Sequence, residues 1–338
     1  MPSGAWPPCV SVWVKASHVL SNDPDALQLA SVSHSPLLLD GALGTELERR
    51  GARMDAPLWS AHALIDAPEI VADVHAEYLR AGADVVTTNT FRTHARNLAA
   101  DGRAGEAEEL TRRAVAMAIG ARVQVAATHP RAKAARVAGA ISPLEDCFRP
   151  DESPQNMAAF NEHATMARTL VEAGVDLLLI ETMSRVDEAI AAVSAASGFG
   201  VPVWLAVVGR DDGRLLGGET FAALVDSLAA HELNVDALLI NCTELGIVDR
   251  LLSTLRACLP AEGAPAIGTY PHTGRNDPDV GFQTHATTPI DFARQVSDLA
   301  QTHGLDIVGS CCGSTPVWTA QLRECLDHGR SAQPDTAS

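Results

Sequence analysis

"VDLLLIET", residues 175–182, is a nearly all-apolar run, polar only at Asp176 before it closes on a carboxylate and a hydroxyl residue. A strand with one wet face alternates apolar and polar residues. A run without alternation suits a strand covered on both faces, as in a parallel sheet. Runs of the same kind recur on either side of it. They are "PLLLD" (36–40), "ADVVTTN" (83–89), "RVAGAIS" (136–142), "VPVWLAVV" (201–208), "VDALLINC" (235–242), "APAIGTY" (264–270) and "LDIVGSC" (305–311), eight in all.

The stretches between the runs carry helix punctuation. "IDAPEIVADVHAEYLRAG" (65–82) opens on Asp66, Pro68 and Glu69, spaces Ile70, Val74 and Tyr78 helically, and closes on Gly82. Ser153-Pro154 to Gly174 and Thr288-Pro289 to Gly304 follow the same plan. A capping residue, a proline in the first turn and a closing glycine are start and stop signals with known causes. "GTELERRG" (44–51) suggests a capping box between Thr45 and Glu48. Eight alternating units predict an α/β fold, a single (β/α)₈ TIM barrel over residues 36–328. A doubly wound open sheet is the alternative. Residues 1–35 lack periodicity and read as a loose, poorly ordered N-terminal arm; 329–338 read as a C-terminal tail.

The formal net charge of −17 over 338 residues disfavours nucleic acid and anionic membrane partners, which need clustered Lys and Arg. There is no apolar run long enough to span a bilayer and no compact signal-peptide core. The seven cysteines are odd in number and scattered. This points to a reducing compartment, hence the cytoplasm, where cysteines serve packing or metals.

In such barrels chemistry sits at the C-terminal ends of the strands. The runs deliver Asp40-Gly41, Thr88-Asn89, Ser142-Pro143, Glu181-Thr182, Gly209-Arg210, Asn241-Cys242, Tyr270-Pro271-His272 and Cys311-Cys312-Gly313 to that rim. Alone, the Cys311-Cys312 pair reads as packing, and less readily as a vicinal disulfide. Cys242, one strand removed on the same rim, makes the three a zinc set. Three thiolates would leave the fourth tetrahedral position open, the mark of a catalytic zinc. Cys9, Cys147, Cys258 and Cys325 read as structural.

Asp40 and Glu181 are either helix caps and salt-bridge partners, or a carboxylate pair for a substrate ammonium. Asn241 either ends its strand or tunes the neighbouring thiolate. Among loop histidines 129, 272 and 285, His272 is best placed for a role. The only lysines, Lys15 and Lys133, end no strand, which removes Schiff-base chemistry. No phosphate loop, dinucleotide fingerprint or HExxH occurs.

"LLLDGALGTELERRG", "TTNTFRTH", "LLLIETM", "LLINCTE", "GTYPHTG" and "GSCCGSTP" together resemble the homocysteine S-methyltransferase family, over about residues 36–328. The resemblance implies a TIM barrel that makes methionine in amino-acid biosynthesis. It implies zinc on Cys242, Cys311 and Cys312, homocysteine ammonium at Asp40 and Glu181, and Gly41, Thr88 and Asn89 against the substrate backbone. The chain departs from the pattern at Ser310, where the family has glycine, and in "SPLEDCFRPDES" (142–153).

A methyl group must leave an activated centre. The donor is therefore expected to be cationic: S-methylmethionine, S-adenosylmethionine or a betaine. Such a cation wants aromatic faces, and Trp59, Phe91, Phe148 and Tyr270 are the candidates. The alternatives are a zinc barrel that binds a thiol or a partner without methyl transfer, and a zinc lyase or hydrolase.

Overall fold

The computed structural model describes residues 35–154, 157–277, 281–284 and 287–331. The expected arm lies outside this range apart from Ser35, as do His285 and residues 332–338. All eight runs form strands. They are β1 (Leu37–Leu38), β2 (Val85–Thr87), β3 (Arg136–Ile141), β4 (Leu177–Met183), β5 (Val203–Val207), β6 (Ala237–Glu244), β7 (Ala266–His272) and, after a hairpin, β10 (Ile307–Val308). They pair in parallel in the order β1-β10-β7-β6-β5-β4-β3-β2. A parallel bridge between Leu39 and Val85 joins the two ends of that sheet. Asp40 N donates to Val85 O across the join at 2.9 Å. The fold is the (β/α)₈ barrel.

Alternation within each run sorts the core into two layers. Leu177, Leu179, Trp204, Ala206, Leu239 and Ile307 fill the barrel interior. Their neighbours Leu178, Ile180, Leu205, Leu238 and Val308 face the helices. Both faces of each strand are therefore apolar, which is why the runs show no polar alternation.

The aspartates that open four of the runs have a shared task. Asp84, Asp176, Asp236 and Asp306 each donate a backbone N–H to the carbonyl of a residue on the preceding barrel strand, respectively Leu38, Val137, Val203 and Ile267. Each then accepts that same residue's N–H on its carboxylate, at 2.7 to 2.9 Å. This two-point clasp fixes register at the N-terminal end of the barrel. Asp306→Ala should lower unfolding stability by about 1–3 kcal/mol, since it strips a charged acceptor from a backbone amide. A urea midpoint unchanged by the substitution would show that the clasp contributes nothing.

Some local expectations need correction. Thr45 and Glu48 form no capping box. The first helix, Gly44–Arg49, has Leu43 before it and no side-chain cap. Thr45 Oγ1 instead accepts the Gly313 N–H at 3.0 Å, tying this helix to the segment after β10. Thr288 does cap the helix Pro289–His303, accepting from Asp291 N, and Gly304 closes it in the left-handed region. An antiparallel hairpin, β8 (Gly274–Asp277) with β9 (Gly281–Thr284), lies where only a loop is expected. The last helix, Pro316–Ser331, runs into the expected tail.

His75, in the helix Pro68–Arg80, is fully buried with neither ring nitrogen hydrogen-bonded. Burial pushes its pKa down to about 4. In the unfolded chain it titrates near 6.5. Above that pH both states are neutral there, and the residue imposes no charging penalty. As pH falls below about 6.5 only the unfolded chain takes up the proton, so stability is lost, levelling off near pH 4. The loss should reach about 3 kcal/mol. His75→Leu should flatten that part of the stability–pH curve, measured by urea unfolding. A slope identical to wild type counts against it.

Candidate active site

A cavity of about 530 Å³ opens at the C-terminal ends of the strands. Asp40, Gly41, Trp59, Thr88, Asn89, Glu181, Cys242, Tyr270, Cys311 and Cys312 all line it. So do His272, Phe91 and Phe148. Asn241 does not line it, and His129 stands away at the start of the helix Pro130–Ala134.

Two irregularities aim the key side chains. β4 slips register against β5 between Ile180 and Met183, and β6 against β7 between Asn241 and Glu244. Thr182 and Cys242 sit there in the left-handed region, with φ of 62° and 46°. That conformation is costly for residues with a Cβ, and most of all for a β-branched one. Such bulges re-aim side chains at strand ends. Asn241 holds the two together. Its Oδ1 accepts Thr182 N at 3.1 Å and its Nδ2 donates to Thr182 Oγ1 at 2.9 Å. The amide is thus spent on backbone placement, beneath the cavity.

The barrel order sets β10 and β6 on either side of β7, which brings the three thiols together. Cys242 Sγ lies 3.6 Å from Cys312 Sγ, and Cys311 Sγ lies 4.0 Å from Cys312 Sγ. All three sulfurs fall within 4.8 Å of one another, and none is in a disulfide. Hydrogen bonds from Cys242 and then Cys311 hold the Cys312 thiol well below its ordinary pKa. Gly313 follows at φ 83°, a turn that favours a residue without Cβ. Ser310, buried and lining the cavity, has an unpartnered Oγ.

Beside the thiols stand two buried carboxyls. Burial pushes Asp40 well above its ordinary range, against hydrogen bonds from the backbone and hydroxyl of Thr87. Burial pushes Glu181 up to about 7, with the Tyr270 hydroxyl, 3.2 Å away, opposing and Cys312 adding. Neither has a guanidinium or ammonium partner among the described residues. Asn89 donates to Ser60 O at 2.9 Å, while its buried Oδ1 has no partner.

The outer wall is aromatic. Trp59 and Phe91 meet edge to face at 5.8 Å. A Cβ on Gly44 would come within 2.3 Å of the Trp59 ring, so glycine there makes room for the indole. The loop 142–153 completes this wall with Asp146, Cys147 and Phe148. It is held from below by the buried Glu188, which accepts Leu144 N at 2.9 Å and the Ser153 hydroxyl, with His163 Nε2 3.4 Å away. Burial pushes the Cys147 thiol up to about 12. The lining residues not foreseen from sequence include Met54, Arg92 and Asp146. They lie in loops whose composition carries no periodic signal.

The homocysteine S-methyltransferase family model matches residues 37–326. The homocysteine S-methyltransferase of Escherichia coli K12 is 32% identical over 302 residues, covering 85% of this chain and 94% of that one. Homocysteine S-methyltransferase YbgG of Bacillus subtilis is 28% identical, covering 83% and 91%. Among solved structures, the metallated form of the homocysteine methyltransferase MmuM from E. coli superposes with a TM-score of 0.74 at 29% identity, over 86% of this chain and 96% of that one.

Proposed function

Since the chain belongs to the homocysteine S-methyltransferase family, we propose that it moves a methyl group from a cationic donor to the sulfur of L-homocysteine, using zinc held by Cys242, Cys311 and Cys312. The observation that carries the metal assignment is the spacing of the sulfurs. A tetrahedral ion with Zn–S of about 2.3 Å needs sulfurs roughly 3.8 Å apart; the two separations from Cys312 Sγ, 3.6 and 4.0 Å, bracket that value, and all three sulfurs lie within 4.8 Å of one another. Zinc bound there would supply Lewis acidity, keeping an alkyl thiol of pKa about 8.5 ionised at neutral pH.

The chain's own side chains do the rest. Asp40 and Glu181 take the homocysteine ammonium, which removes the cost of burying two carboxylates without a counter-charge. Thr87 and Tyr270 hold those carboxylates in place. Trp59, Phe91, Phe148 and Tyr270 offer faces to the donor's cationic centre. The carboxyls and aromatics around the cavity set the two reactants in line. The homocysteine sulfur then forms a bond to the methyl carbon while the carbon–onium bond breaks. Its electron pair leaves with the donor, whose onium atom becomes neutral. Holding both reactants in attack geometry is worth roughly 7–11 kcal/mol.

The formal net charge of −17 disfavours nucleic acid as a partner. Among the described residues no helix is long and apolar enough to cross a membrane. The proposed setting is cytoplasmic. The test is methionine formation by zinc-loaded protein with homocysteine and S-methylmethionine, S-adenosylmethionine or glycine betaine. One donor is expected to give methionine. Metal and thiol binding with no methionine from any of them would refute methyl transfer.

A further inference from the structure

We propose that Arg92 binds a carboxylate on the methyl donor, so that the donor is a zwitterion, cationic at the methyl-bearing atom and anionic at its far end. This rests on the cavity being a methyl-transfer site. The cavity is acidic: Asp40, Glu48, Asp146 and Glu181 line it, and Arg92 is the only Lys or Arg side chain among the described lining residues. Arginines elsewhere in this chain are mostly taken by acids. Arg96, four residues on, pairs with Glu145 and Glu162. Arg92 pairs with no carboxylate among the described residues. Its one hydrogen bond there runs from Nη1 to the backbone O of Glu145, at 2.8 Å.

That bond orients the side chain without neutralising it. The guanidinium carbon lies 5.3 Å from the centroid of the Phe91 ring, so the group is braced on one side and hydrogen-bonded on another. Arg92 is half-buried. A planar fork with donors to spare, fixed at the edge of a cavity, matches a carboxylate's two oxygens. Half burial also spares the pair some of the screening that weakens exposed ones.

Position decides which reactant it serves. The thiols, Asp40 and Glu181 sit at strand ends and take up the homocysteine sulfur and ammonium. Arg92 stands on the loop after β2 and is bonded to the loop after β3, beside Phe91, Phe148 and Asp146. A donor must enter over this outer half with its methyl turned toward the thiols. Its onium centre then meets the Trp59–Phe91 pair, and its tail reaches the guanidinium.

The test pairs donors that differ in the carboxylate. S-methylmethionine is set against its decarboxylated analogue, (3-aminopropyl)dimethylsulfonium, and glycine betaine against tetramethylammonium, with zinc-loaded wild type, Arg92→Gln and Arg92→Lys. Wild type should prefer the carboxylate-bearing member of the pair it uses by roughly 10- to 100-fold in kcat/KM, the range of a hydrogen-bonded charge. Arg92→Gln should shrink that preference to within about threefold, and Arg92→Lys should retain part of it, having charge but no fork. The homocysteine KM should move less than about threefold. A preference that survives Arg92→Gln overturns the assignment. So does a homocysteine KM that rises by the full factor, which would place Arg92 on the acceptor. Calorimetric binding of the same donors separates this from the methyl-transfer reading. If no donor yields methionine, methyl transfer falls. Arg92 is then judged by whether Arg92→Gln weakens S-methylmethionine binding by the same factor, and equal or undetectable binding in both proteins overturns it.

Discussion

Cys242→Ser should release the metal from the zinc-loaded protein and lower methyl transfer on the order of 10³-fold or more. The three sulfurs lie within 4.8 Å of one another. Two remaining thiolates and a hydroxyl, which stays protonated at neutral pH, make a far weaker site, because ligands must be deprotonated to bind. A Lewis acid's share of the barrier is several kcal/mol, and each 1.36 kcal/mol is a factor of ten in rate. The substitution is nearly isosteric and keeps the backbone's reason for its left-handed turn, the Asn241–Thr182 lock. The fold should therefore survive, with unchanged circular dichroism. Cys258→Ser is the control: that thiol is half-buried on the helix Leu245–Cys258 and donates to Thr254 O. It should keep one metal per chain. Metal-to-protein ratios by mass spectrometry decide the matter. Stoichiometric zinc in the variant with serine at 242, 311 and 312 would falsify the ligand assignment.

What the sequence could and could not reveal follows from the kind of signal each feature leaves. The barrel was legible because covering both faces of a strand erases polar alternation, and "VDLLLIET" shows that erasure directly. The rim followed from it: once Leu177–Met183 is a barrel strand, Glu181 must stand at its C-terminal end. Asp40, Cys242 and Cys311-Cys312 were placed by the same step. Features built from tertiary contact left no such trace. Thr45 has the spacing of a capping box with Glu48, yet its hydroxyl is claimed by Gly313, 268 residues away. Asn241 reads as a rim residue by position, but the bulge after it turns its amide down onto Thr182. Arg92 follows an aromatic in a loop, and only the fold shows that it faces a cavity whose other lining residues among Asp, Glu, Lys and Arg are all acids. The hairpin β8–β9 has no alternating apolar pattern, so its pairing leaves no signal in the sequence.

Glu181→Gln should raise the homocysteine KM about 10- to 100-fold while leaving the fold intact or more stable. The two halves of this expectation have one cause. Burial pushes the Glu181 carboxyl up to about 7, so the folded protein pays to keep it charged. A glutamine has nearly the same shape, carries no charge to desolvate, and its Oε1 can still accept from the Tyr270 hydroxyl. Thermal unfolding of the variant in the absence of substrate should therefore occur at or above the wild-type temperature. Substrate reverses the balance. An ammonium placed between Asp40 and Glu181 pairs with the very charge that burial disfavours, and a hydrogen bond to a charged group is worth about 1.5–3 kcal/mol. Glutamine offers the ammonium only a neutral carbonyl, which converts to the stated loss in affinity. The donor KM should move little, because the proposed onium site lies toward Trp59 and Phe91. This split separates substrate binding from a role in packing. A purely structural glutamate would lower stability and raise both KM values together, and an unchanged homocysteine KM would show that the ammonium is bound elsewhere.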